Sequence, residues 1–199
     1  MNAPAYAASD VIEAPSDDYA CLMERIDEVE GVQAEWLGEY LYKLIKPRSV
    51  IDWGCASGLY LLPFSWHDVQ VCGIDSEPTA GSKLAPNEFY CMDIRRPIVT
   101  DKYDLALCIE VAEHLQPEYA DALVDNVTRS ANIVFWSAAR PGQGGHHHHN
   151  EQQISYWAAK FAMRGFTLHL HNDYMIDNIC NSGKCVRWLR RNSRLYRRW

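Results

Sequence analysis

A chain of 199 residues is long enough for one α/β domain with its own core and short for two. An apolar fraction of 48% excludes a disordered chain, and a net charge of −7 excludes a general electrostatic attraction to nucleic acid. No run approaches the roughly twenty apolar residues that a membrane-spanning helix needs.

In chain order, residues 1–18 are rich in Ala, Pro, Ser and Asp and are expected to form a flexible arm. "YACLMERIDEVEGVQAEWLGEYLYKLI" places Leu22, Ile26 and Val29, then Trp36, Tyr40 and Leu44, at helical spacing. Gly31 is expected to divide it into two helices and Pro47 to stop the second, giving a helical cap over 19–46. "SVIDW" is the first strand, and "VQVCGI", "EFYCM", "DLALCI" and "NIVFWS" are four more. Helical or loop segments such as "QPEYADALVDNVTRS" separate them, and the runs are apolar on both faces, as doubly covered parallel strands require. A glycine-rich loop with four internal histidines follows, then the helix "EQQISYWAAKFAMRG" and strands in "FTLHL" and "SRLYRRW". The last two are expected to close the sheet as an antiparallel hairpin. "VRWLRRNSRLYRRW" holds six arginines and no acid, read as a basic strand edge.

Seven cysteines without a CxxC or a regular framework point to a reducing compartment, and "MNAPAYAASDVIEAPSDD" lacks the basic start and apolar run of a secretory signal. A cytoplasmic protein without a membrane partner is the expectation.

The first candidate site is "SVIDWGCASG". A glycine turn after a strand is expected to open a helix and to grip a ligand by backbone N–H groups. The register Gly54-Cys55-Ala56-Ser57-Gly58 is wrong for a dinucleotide fingerprint, which argues against a nicotinamide dehydrogenase. Asp52 ahead of the turn would repel a pyrophosphate and suits a cationic ligand.

This stretch resembles motif I of the class I S-adenosylmethionine-dependent methyltransferases, with Ala56 in place of a more usual glycine. The resemblance runs from about Tyr40 to Trp199 and continues in three further segments. "VQVCGIDSEP" ends a strand at Asp75, where the family binds both ribose hydroxyls; "FYCMDIRRP" ends one at Asp93, where it contacts the adenine amino group. "YDLALCIEVAEHL" is similar to the family's step into Glu110, and "PGQGG", a histidine and "NEQ" resemble a loop of a bacterial branch. The resemblance implies a Rossmann-like α/β fold over 47–199. Its sheet would be seven-stranded and mostly parallel, in the order 3-2-1-4-5-7-6 with helices on both faces. It also implies S-adenosyl-L-methionine as cofactor, bound by Asp52, Gly54, Ala56, Gly58, Asp75, Ser76, Asp93, Ile94 and Glu110.

Glu110, Glu113 and His114 are spaced i, i+3, i+4, so on a helix they would share a face. No metal is expected; these three are the alternative set, similar to the metal site of small-RNA 2′-O-methyltransferases. An acceptor hydroxyl benefits from a base, and His114, His146 and His149 are the catalytic candidates within a loop of four histidines. Tyr156, Trp157 and Phe161 are expected to pack in the core, and Trp188 and Asn192 have no assigned chemistry. The expected activity is methyl transfer to oxygen or nitrogen of a small-molecule or glycan-like acceptor. A metal-assisted 2′-O-methyltransferase of an RNA end and a non-catalytic cofactor-binding module are the alternatives. Nucleic acid is not an expected partner.

Overall fold

Ala34, Leu37 and Leu41 recur at helical spacing and are all buried, which fixes the inner face of a long helix, α1 (Asp17–Ile45). The computed structural model describes Ala5–Tyr6 and residues 17–78 and 80–199, with the side chains of α1 described from Asp27 onward. The expected break at Gly31 does not occur. One glycine costs a helix only about 1 kcal/mol, and burial of three apolar side chains exceeds that. A second glycine, Gly38, lets α1 approach closely: a Cβ there would stand 2.7 Å from the Pro63 ring. The helix ends as Lys46 turns left-handed (φ 51°) ahead of Pro47. The expected arm over 1–18 lies largely outside the described residues. Of it, Ala5–Tyr6 pairs antiparallel with Ile98–Val99, and Asp17 opens α1.

Seven strands form the main sheet: β1 (Ser49–Trp53), β2 (Gln70–Asp75), β3 (Phe89–Cys91), β4 (Leu105–Ile109), β5 (Ile133–Ser137), β6 (Phe166–Leu168) and β7 (Arg194–Arg198). Their order is 3-2-1-4-5-7-6, as expected. The first five run parallel and β7 is antiparallel to both its neighbours. The final pair is no tight hairpin, because α5 (Asn172–Asn181) and α6 (Arg187–Asn192) intervene between β6 and β7.

Alternation along each strand divides the core between two faces. Ile51, Trp53, Ile74, Ala106 and Trp136 pack under α3 (Ala120–Ser130) and α4 (Ile154–Ala162), where Trp157 and Phe161 are buried. Val50, Val71, Leu107 and Phe135 face Leu37 and Leu41 of α1 with Ile179 and Leu189 of the last helices. No described helix is long and apolar enough to cross a membrane.

Candidate functional site

The turn after β1 takes a course that its sequence explains. Gly54 (φ 78°) and Gly58 (φ 89°) are left-handed, and a Cβ on either would run into Val111 or Leu84. Ala56 is left-handed too (φ 47°), at the position where the resembling family prefers glycine. Four of the turn's five amides are engaged within the protein. Gly54 and Cys55 donate to the Ile74 carbonyl (2.8 and 3.1 Å), Ala56 donates to Asp75 Oδ2 (2.9 Å) and Gly58 to the Cys55 carbonyl (2.8 Å). The turn does not open directly into a long helix, since only the four-residue α2 (Leu62–Ser65) follows.

Carboxylates face a cleft beside this turn. That cleft, of about 760 Å³, lies at the C-terminal ends of the parallel strands, where ligands of such sheets bind. Asp52, Gly54, Ala56, Asp75, Ser76, Ile94 and Glu110 line it, joined by Glu30 of α1 and by Tyr60. Asp52 is 2% exposed and its Oδ1 has no hydrogen-bond partner. Burial, with Asp75 adding its charge, pushes its pKa up to about 7. Asp75 is raised by burial as well, against the pull of the Ala56 and Glu77 amides that it accepts. Tyr60 donates to Glu30 (2.7 Å) and accepts from Gln33 (2.6 Å), so α1 is tied to the cleft wall.

Two residues expected to bind cofactor do not line the cleft. Gly58 acts by letting Leu84 pack close, and Asp93 is held by the Arg95 guanidinium through both oxygens (2.8 and 2.9 Å). The basic pair that follows Asp93 in the sequence was the signal for that capture.

The segment from Glu110 to Leu115 is a turn, so the shared helix face expected of Glu110, Glu113 and His114 does not exist. The helical region begins only at Pro117. Glu110, itself left-handed (φ 51°), accepts from Ser137 Oγ (2.6 Å), Gln143 Nε2 (3.0 Å) and Asn192 Nδ2 (3.0 and 3.2 Å). Glu113 is fully buried with both carboxyl oxygens unpartnered, and burial, then the charge of Glu110, raise its pKa well above the usual range. Its backbone carbonyl accepts the amides of His149 (2.8 Å) and Asn150 (2.9 Å), which pins the histidine loop beside the cleft.

His114, His146, His147 and His148 line the cleft, whereas His149 is exposed and does not. His114 is open to solvent on one side and packs edge-on against His148 on the other, with ring centroids 4.9 Å apart. Desolvation on the packed side, then His148, push its pKa down. His148 Nδ1 lies 2.9 Å from Glu151 Oε1, and the Glu151 carboxylate also accepts the Gly142 and Gly144 amides, each at 2.7 Å. Among the described residues, Glu113, His114 and His148 bring possible ligand atoms within 4.8 Å of one another. Glu110 is not in that group, and its oxygens are bound by neutral donors. The His148–Glu151 pair, Gln143 and Asn192 received no role from the sequence; the spacing of His148 and Glu151 was the available sign of the first.

No protein-family profile and no curated protein matches the chain. Solved structures do. The sugar N-methyltransferase of Streptoalloteichus sp. ATCC 53650 superposes with a TM-score of 0.70 at 14% identity, over 98% of each chain. The magnesium protoporphyrin IX methyltransferase of Synechocystis PCC 6803, crystallised with bound SAH, gives 0.65 at 16% identity over 92% of this chain and 94% of that one. DesVI of Streptomyces venezuelae gives 0.64 at 13% identity over 94% and 100%. At these identities the likeness establishes the fold, which is that of class I methyltransferases.

Proposed function

We propose that the chain is an S-adenosylmethionine-dependent methyltransferase acting on oxygen or nitrogen of a small-molecule acceptor. The carrying observation is Asp52: a buried carboxylate with a partnerless oxygen, in a cleft at the strand ends, asks for a cationic ligand. The donor chemistry fits, since S-adenosylmethionine carries an ammonium and a sulfonium and supplies a methyl group on an already activated leaving atom. Asp52 would accept from the ammonium, Asp75 and Ser76 from ribose hydroxyls, and Ile94 would pack on the adenine.

The protein's share of such a reaction is alignment and removal of one proton. The strand ends and the turn at Glu110–Leu115 hold donor and acceptor against each other. His148 is the group we assign to the proton: Glu151 fixes Nδ1 as the N–H donor, which leaves Nε2 as the base. His114 and His146 line the same wall, where they would meet the acceptor. The neighbours support a small acceptor, one being a sugar N-methyltransferase and another a porphyrin methyltransferase. Nothing in the comparisons favours the RNA-end or the non-catalytic reading.

Calorimetric titration with S-adenosylmethionine and S-adenosylhomocysteine tests this. We expect saturable binding of both, lost in Asp52→Ala. A flat titration of the native chain overturns the proposal.

A further inference from the structure

We propose that the acceptor carries a phosphoryl group, seated in a second cavity that three arginines line beside the donor cleft. The inference rests on the methyltransferase reading and names the chemistry of its acceptor. This cavity, of about 590 Å³, lies between the glycine loop and α6, with Arg140, Arg187 and Arg191 in its wall. It shares Gln143 and Trp188 with the donor cleft, so the two spaces are contiguous. The partition is built rather than incidental. Gln143 donates to Glu110 and accepts from Asn192 (2.9 Å), which itself holds Glu110.

The charge in this cavity is uncompensated. No Asp or Glu lines it, and none of the three guanidiniums forms an ion pair among the described residues. Arg140 donates Nη2 to the Arg191 carbonyl (2.6 Å), while its Nε is buried without a partner. Two carboxylates bond to residues of the cavity wall but not to its arginines, Glu110 to Gln143 and Asn192 and Glu151 to the Gly142 amide.

Arg187 and Arg191 are like charges at i, i+4 on one helix, and Arg187 occupies the first turn, where the helix dipole disfavours a cation. Both are exposed, so their mutual repulsion costs the fold little. Burial lowers the Arg140 pKa, and the charges of Arg194 and Arg191 add to that. Of the other four arginines of the basic stretch, Arg190, Arg194 and Arg198 donate to backbone carbonyls of Cys185, Ser193 and Thr128, which fits the reading of a structural basic edge. Three guanidiniums lining one cavity match the tetrahedral oxygens of phosphate or diphosphate better than a single carboxylate. An acceptor anchored there would extend its nucleophile past Gln143 toward His148.

The test uses the full chain, saturated with S-adenosylhomocysteine and also without it, titrated with pyrophosphate, inorganic phosphate and acetate. We expect pyrophosphate to bind more tightly than phosphate, and acetate at least tenfold more weakly than either. Arg187→Gln and Arg191→Gln should each weaken pyrophosphate at least tenfold, with melting temperature unchanged and S-adenosylhomocysteine affinity within twofold of the native chain. Pyrophosphate binding no tighter than acetate, or insensitive to both substitutions, overturns the inference. A short single-stranded RNA displacing pyrophosphate at far lower concentration than phosphate does would overturn the small-molecule source. If S-adenosylhomocysteine itself fails to bind, the methyltransferase reading falls, and the anion titration without it still reports on the cavity.

Discussion

Asp75 accepts the Ala56 amide at 2.9 Å, while Oδ1 of Asp52 on the adjacent strand accepts nothing. One carboxylate organises the turn and the other stands ready for a ligand. Readiness has a measurable cost. The Asp52 pKa rises from 3.8 to about 7 on folding, so between those values the folded protein holds a proton that the unfolded chain has lost. Stability therefore falls as pH rises through that window and is flat above it. Asp52→Asn removes the fall; after allowing for an unpaired amide, we expect a gain of about 1–3 kcal/mol at pH 8. Thermal unfolding at pH 4.5 and pH 8 checks this, with the gain confined to the higher pH. Equal gains at both would show that Asp52 is not the titrating group.

Ala56 keeps a Cβ in a left-handed conformation that glycine adopts freely. Ala56→Gly relieves that strain and adds freedom to the unfolded chain, two effects of opposite sign and similar size. The strain is the larger, so we expect about 0.5 kcal/mol of stabilisation in denaturant melts. A loss of stability would place Ala56 outside the left-handed region.

Asn192 is 2% exposed and supplies the amide that Glu110 and Gln143 share. Asn192→Ala strips donors from a carboxylate at the cleft wall, and we expect a loss of about 1–3 kcal/mol. Hydrogen exchange should rise in residues 140–150 before it rises in the sheet. Uniform loosening of the whole molecule would refute a local role.

If His148 takes the acceptor proton, His148→Ala should lower turnover at neutral pH by roughly 10²-fold or more, with S-adenosylhomocysteine affinity unchanged. Glu151→Gln should give a smaller loss, because the ring keeps a hydrogen-bond acceptor at Nδ1 but loses the charge facing it. Labelled methyl transfer into an acceptor recovered from cell extract provides the assay. Undiminished transfer in His148→Ala would move the base elsewhere.

Glu113, His114 and His148 are close enough to share a cation, but alignment and removal of one proton, the steps assigned to the protein, call for none. We expect EDTA to leave transfer and melting temperature unchanged. Loss of activity that Mn²⁺ or Zn²⁺ restores would make these residues ligands.

The sequence by itself determined the sheet. Five strands apolar on both faces, alternating with helical segments, leave a layered parallel arrangement as the way to bury them, and β1 to β5 follow it. Periodicity put Asp52, Asp75 and Glu110 at strand ends, the family resemblance implied their site, and all three line the cleft. What depends on long-range contact was decided only in the tertiary structure. Gly31 sits within one helix because burial of a distant apolar face outweighs its local cost. Asp93 turns to its own arginines, and Glu110 separates from Glu113 because the chain turns there instead of coiling. Asn192 reaches Glu110 across 82 residues, and Arg140 meets Arg187 and Arg191 only when α6 folds against the glycine loop. Spacing along the chain carries information about periodic elements, whereas pairings between distant loops appear only once the sheet has brought their ends together.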